Sequence, residues 1–109
     1  MKYYESVIIM KPTLTEEEIK NTINKYKENF SKFSDEVKVE DLGNKKLAYE
    51  IQGNKEGYYA VFYFSANSGD IADIERNYRT DDNIIKFLNV EMYEIKKSPK
   101  RSKEQEAER

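Results

Sequence analysis

Apolar and polar positions recur along this chain with two periods, and the periods divide it into six segments. Tyr3 to Met10 (YYESVIIM) is β-branched and aromatic and ends in a nearly continuous apolar run. That suits a central strand buried on at least one face. Lys11-Pro12 ends it. Thr15-Glu16-Glu17-Glu18 reads as a capping box, with Thr15 as N-cap and Glu18 reaching back. Three glutamates in the first turn also suit the helix dipole. Ile19, Ile23, Tyr26, Phe30 and Phe33 follow at steps of four, three, four and three. The spacing predicts a helix of about five turns with one apolar stripe toward the core.

Val37 and Val39 open a second strand, which passes Gly43 and runs to Ile51. An isolated glycine in a strand pattern predicts a bulge or sharp bend. Such a bend aims Lys45 and Lys46 away from the core as a cationic corner. Gly53-Asn54-Lys55-Glu56-Gly57 reads as a turn, and Tyr58 to Ser65 (YYAVFYFS) as a third strand and the most apolar one. Two such runs joined by a short Gly-containing loop predict a hairpin. Asp70 is the expected N-cap of a second helix carrying Ile71, Ile74 and Tyr78. Asp81-Asp82-Asn83 breaks it, and Ile84 to Ile95 reads as a last strand. The pattern stops there. Residues 96–109 read as a charged, disordered tail after a domain of residues 1–95.

Strand, helix, strand, strand, helix, strand predicts an α+β protein: a ferredoxin-like β-α-β-β-α-β fold, with a four-stranded antiparallel sheet and two helices on one face. The other sheet face is left open. Aromatics from Tyr58 to Phe64, with Phe87 and Tyr93 of the last strand, are expected on it.

Composition narrows the function. The chain has 109 residues, 38% hydrophobic and 37% charged, with a mean hydropathy of −0.95. That is enough for one domain with little apolar material to spare. There is no Cys and no His, so thiol and imidazole chemistry is absent and a zinc site would need carboxylates alone. The four glycines are dispersed and form no phosphate loop. Asp81 and Asp82 could ligate a metal, but a turn and cap explains them better. Asn29-Phe30-Ser31 fits a glycosylation pattern inside a helix and is discounted. The expectation is a non-enzyme with no cofactor, metal or small-molecule substrate. Neither a signal peptide nor an 18-residue apolar run is present, so a cytoplasmic location and no membrane partner are expected.

Net charge is −2, but its distribution is uneven. Residues 96–109 carry a net +3 and residues 1–95 a net −5. Lys2, Lys45, Lys46, Arg76, Arg79 and Lys86 fall at strand ends and turns, where cations suit phosphate contacts and RNA shape. Glu56 to Tyr63 partly matches the third-strand signature of the RNA recognition motif through Gly57, Tyr58, Val61 and Tyr63. Glu56, Tyr59 and Ala60 depart from it.

The segment Gly43-Asn44-Lys45-Lys46-Leu47-Ala48-Tyr49-Glu50-Ile51 resembles the signature of the bacterial small-subunit ribosomal protein six family. Tyr4-Glu5 and Tyr78-Arg79-Thr80-Asp81-Asp82-Asn83-Ile84-Ile85-Lys86 resemble it too. The likeness covers residues 1–95. It implies a structural constituent of the small ribosomal subunit that binds ribosomal RNA of the central domain jointly with ribosomal protein eighteen, as a heterodimer. Lys2, Lys45, Lys46, Arg79 and Lys86 fall where members carry cations and are the expected RNA contacts. Tyr58, Phe62 and Tyr93 are the expected partner contacts. Thr80-Asp81-Asp82 is acidic where some members are basic. Two other readings stay open: a single-strand RNA-binding module of the RNA recognition motif type, stacking bases on Tyr58 or Tyr63, and a small-molecule-sensing ferredoxin-like dimer.

Overall fold

The computed structural model describes residues 1–92. The last strand beyond Met92, Tyr93 and the 96–109 tail therefore lie outside the described residues. Six elements follow in order: β1 (Lys2–Met10), α1 (Glu16–Phe30), β2 (Lys38–Ile51), β3 (Asn54–Ala66), α2 (Ser68–Thr80) and β4 (Ile84–Met92). The four strands form one antiparallel sheet in the order β2-β3-β1-β4. This is the expected ferredoxin-like topology.

Both helix starts carry a reciprocal or reach-back contact. The Thr15 hydroxyl accepts the Glu18 N–H at 3.1 Å, and the Glu18 carboxylate accepts the Thr15 N–H at 2.8 Å. α1 is one turn shorter than the stripe implies. Its last turn passes into tight i→i+3 bonds at Lys32 and Phe33, which keep Phe33 packed on Phe30 and Phe64, both at 6.1 Å. α2 starts earlier than expected. Asn67 is the cap, and Asp70 sits three residues on, its carboxylate reaching back to the Asn67 N–H at 3.1 Å.

The β2–β3 turn is also shorter than expected. It holds only Gln52 and Gly53, with φ of 51° and 81°. Positive φ at both central positions is the mirror-image turn whose twist matches a hairpin. Asn54 to Gly57 therefore continue β3. They are polar because this arm extends past the end of β1, where Met10 pairs with Tyr58 and Ile84. Gly43 has a φ of 81°, and the ladder register shifts between Asp41 and Gly43. The expected bulge is there, at a position that needs glycine.

Even-numbered residues of β1 and β3 face the helices. Ile8, Met10, Phe62 and Phe64 meet Ile19, Tyr26 and Phe30 of α1 and Ile74 and Tyr78 of α2 in one buried cluster. Phe30 is the aromatic hub, 4.5 Å from Phe64 and 5.2 Å from Phe62 between ring centres. Tyr26 and Tyr78 meet edge to face at 4.9 Å. The Tyr78 hydroxyl, deep in this core, shares a 2.8 Å hydrogen bond with Ser6. Burial raises its pKa, and the Ser6 bond only partly offsets that, so the phenol stays neutral and its one polar atom is satisfied.

Candidate RNA and partner surface

β2 follows β3 in register as far as Lys46, opposite Glu56, and rejoins it only at Ile51, opposite Asn54. Between these points Leu47 to Glu50 leave the ladder. This detour carries the arm sideways across the end of β1 to the start of β4. Two hydrogen bonds fix it there. Lys86 Nζ donates to the Tyr49 hydroxyl at 2.5 Å, and Gln52 Nε2 donates to the Ile85 carbonyl at 3.4 Å. β4 answers with its own irregularity: the register shifts as β1 passes from Ile9 to Met10. Ile84 and Ile85 are consequently both buried.

Lys46 lines a groove with Tyr49, the residue that Lys86 bonds. Lys45 pairs with Gly57 across the ladder and places its ammonium 5.9 Å from the Tyr59 ring centre. Arg79 and Lys86 line one shallow cleft of about 340 Å³ beside Gln52 and Phe87. The Arg79 guanidinium lies 5.6 Å from the Phe87 ring centre and 3.6 Å from the Glu75 carboxylate. Lys2 is not brought here. It starts β1 opposite Ala66, eight residue steps and about 27 Å from Met10 at about 3.4 Å per residue. Lys2 pairs with Glu91 at 3.4 Å. Arg76 pairs with Asp73 on its own helix at 3.1 Å. These exposed pairs are each worth about 0–1 kcal/mol, so a phosphate can displace the carboxylate at little cost.

The acidic turn at the α2–β4 junction points elsewhere. Asp81, with a side chain only 10% exposed, accepts from Lys25 Nζ at 2.9 Å, Tyr26 hydroxyl at 2.6 Å and the Asn83 N–H at 2.9 Å. It ties α1 to the junction that presents Arg79 and Lys86. Burial opposes ionisation of its carboxyl, but the bonds from Lys25, Tyr26 and Asn83 outweigh it and hold the pKa below the ordinary value. Tyr26 is shifted up, first by burial and then by its bond to Asp81. No group of three or more His, Cys, Asp or Glu able to hold a metal occurs among the described residues. Asp81→Ala is expected to cost about 1.5–3 kcal/mol, the range for hydrogen bonds to a charged group. The pKa is lowered by folding, so this stabilisation is present above the unfolded value of about 4 and is lost as pH falls through the folded one. Melting curves of wild type and variant should differ at pH 7 and converge in acid. A gap that persists in acid would show that the ionised carboxylate is not what matters.

The two described partner candidates face the helices and not the open side of the sheet expected for them. Phe62 is fully buried under the helices. Tyr58 is half-buried on that same side, and its hydroxyl donates to Asp41 at 2.6 Å. That bond, with burial second, pushes its pKa up to about 12. Phe87 also packs inward, 5.2 Å from Tyr78. Tyr93 is beyond the described residues. The error is one of parity. A strand with apolar residues on both faces gives no alternation from which to choose the inner set.

The opposite face carries Tyr59, Val61 and Tyr63 from β3, Tyr3, Val7 and Ile9 from β1, and Leu88, Val90 and Met92 from β4. Its β3 half is closed: Val61 and Tyr63 are buried. The β1–β4 half is open. Tyr3 is 36%, Val90 41% and Leu88 56% exposed, against Val7 opposite Leu88. The alternation of Leu88, Val90 and Met92 was the signal for this patch. No described helix is long and apolar enough to cross a membrane.

Comparison with known proteins agrees with this architecture. A family model described as ribosomal protein S6 matches residues 3–91. A small ribosomal subunit protein bS6 of Helicobacter pylori is 45% identical over 98 residues, covering 89% of this chain and 68% of that protein. A protein of the same name from a Sulfurovum species is 45% identical over 91 residues, covering 83% of this chain and 72% of that one. The crystal structure of 30S ribosomal protein S6 from Thermotoga maritima superposes with a TM-score of 0.74 at 30% identity, covering 99% of this chain and 98% of the other. Sheet order, glycine bulge and this breadth of similarity lead to one conclusion: the chain belongs to the ribosomal protein S6 family.

Proposed function

We propose that this chain is a structural, non-catalytic constituent of the small ribosomal subunit in the cytoplasm, binding central-domain ribosomal RNA together with ribosomal protein eighteen. The observation that carries the reading is the corner where the β2 arm, with Lys46 in one groove with Tyr49, is bonded through Tyr49 to Lys86, which lines a cleft with Arg79. Lys2, at the other end, contacts a separate stretch of the same RNA. The partner docks on the open β1–β4 half of the sheet, where Tyr3, Leu88 and Val90 are exposed. An acidic body with so few clustered cations binds RNA weakly alone. The partner adds area and charge, so assembly is cooperative.

The alternative of base stacking on Tyr58 or Tyr63 has little support. Tyr58 is tied to Asp41 on the helix side, and Tyr63 is 2% exposed. A stable homodimer with ligand-dependent melting would favour the small-molecule module instead.

The test is binding of a central-domain RNA fragment against salt, with and without ribosomal protein eighteen. Tight binding is expected only for the pair. Neutralising Lys45, Lys46, Arg79 and Lys86 together should flatten the log–log salt slope by about 3, at roughly 0.7–0.9 per phosphate contact. Equal affinity of the isolated chain and the pair would overturn the cooperative reading.

A further inference from the structure

Tyr49 is the most exposed tyrosine among the described residues, at 61%, while Tyr26, Tyr63 and Tyr78 are buried. It sits within Leu47 to Glu50, where β2 has left the ladder. No core packing explains an aromatic there. Its hydroxyl is nevertheless held by Lys86 from β4, whose ammonium lies 5.0 Å from the ring centre. The ring is thus fixed at one end and open to solvent over its body. Such a ring is pre-organised: little side-chain freedom remains to be lost on binding.

The charges around it are asymmetric. On one side, Tyr49 shares a shallow groove of about 410 Å³ with Lys46 and Lys55, but also with Glu50 and Glu56. On the other side stand Lys86 and Arg79, with Gln52 between hairpin and β4, and there the carboxylate is Glu75, 3.6 Å from the Arg79 guanidinium in an exposed pair that a phosphate can displace. A lysine ammonium has three N–H donors. One is used on Tyr49, which leaves two for another acceptor. Arg79 adds a planar fork suited to phosphate.

We propose that Tyr49 is a stacking platform for one unpaired RNA base, and that Lys86 and Arg79 hold the phosphate next to it. The inference rests on the RNA-binding reading above and deepens it. The ligand class follows from the geometry: a paired base has no free face to offer a ring on a surface arm, so the nucleotide is in a loop, bulge or end. Stacking needs only a π-face, so the site tolerates any base. Lys86 couples the two halves, since the same ammonium orients the ring and meets the phosphate.

The test uses the full chain with ribosomal protein eighteen and a central-domain RNA fragment, comparing wild type with Tyr49→Leu, Tyr49→Phe and Lys86→Gln. Tyr49→Leu should weaken RNA binding by about 5- to 150-fold, the worth of one stacked base, with the salt slope unchanged. Tyr49→Phe should recover part of that loss, since it restores the stacking face without the hydroxyl that Lys86 holds. Lys86→Gln should flatten the slope by roughly 0.7–0.9. Formation of the protein pair without RNA should be the same for all four proteins. Wild-type affinity for Tyr49→Leu would overturn the platform and leave the RNA-binding reading intact. Weakened pairing without RNA would also overturn it, by making Tyr49 a protein contact. If the wild-type pair itself does not bind the RNA, the RNA-binding reading falls and the platform with it.

Discussion

Phe62→Ala is expected to destabilise the isolated chain by about 3–5 kcal/mol, the usual cost of truncating a buried phenylalanine. Phe62 is fully buried. It meets Phe30 edge-on at 5.2 Å and Tyr26 at 6.5 Å, so truncation opens a cavity between sheet and α1 and removes two aromatic contacts. The void has little chance to collapse. Ala60 on the same strand face is already small, and the β3 backbone is locked between β1 and β2. A domain of this size has about 5–15 kcal/mol of total stability, so the loss is a large share of it. At about 4–8 °C per kcal/mol for a domain of roughly 60–100 residues, the melting temperature should fall by more than about 10 °C. The result also decides between two roles. A surface residue that only meets a partner would lose pair affinity with an unchanged melting temperature. A melting temperature within about 2 °C of wild type would remove Phe62 from the core.

Much of this fold is legible in the sequence where local chemistry and tertiary packing agree. The capping box at Thr15 and Glu18, the stripe from Ile19 to Phe30 and the bulge at Gly43 each follow from residues within a few positions of one another. The β2–β3 turn is less legible, because Gly53 to Gly57 looks like loop when judged by composition. What overrides composition is the positive φ of Gln52 and Gly53, which lets a two-residue turn close and forces the polar segment after it into β3. Which cations stand at strand ends and turns is legible in the sequence, and which face the aromatics take is not. Lys46, Arg79 and Lys86 lie on three elements of the chain, and the contact of the β2 arm with Lys86 through Tyr49 depends on the detour of β2 across the end of β1. No local pattern announces that detour. The face of β3 is illegible for a different reason: tyrosine and phenylalanine occupy both parities from Tyr58 to Phe64, so only the register with β1 decides which side meets the helices. The clearer alternation in β4, Leu88-Asn89-Val90-Glu91-Met92, was the better guide to the open face. There the polar Asn89 turns to the helix side and donates to Glu75 at 3.3 Å.

That face leads to the second large effect. Leu88→Asp is expected to weaken the proposed pairing with ribosomal protein eighteen by at least about 30-fold, the scale of a hot-spot residue of about 2 kcal/mol or more. Leu88 is 56% exposed, beside Val90 and opposite Val7. In the free chain an aspartate there stays solvated, so stability should change by only about 0.5–1 kcal/mol, within the range of surface and strand-propensity effects. In the pair, the carboxylate would sit inside an apolar contact without a partner, and an unpaired buried charge is among the costliest groups to desolvate. Affinity and stability are thereby separated, the reverse of Phe62→Ala. Asn24→Asp on exposed α1 makes the same change of charge on the helix side of the molecule and should leave pairing within about twofold, as befits a residue outside the contact. Titration of the labelled partner, with melting curves for each variant, reads both quantities. Equal weakening by Leu88→Asp and Asn24→Asp would mean that added negative charge alone opposes the partner, and the docking surface would have to move off the β1–β4 half of the sheet. Loss with Leu88→Asp alone would place the partner there, on the sheet face opposite both helices and next to the cationic corner, where one bound protein can extend the RNA-contacting surface of the other.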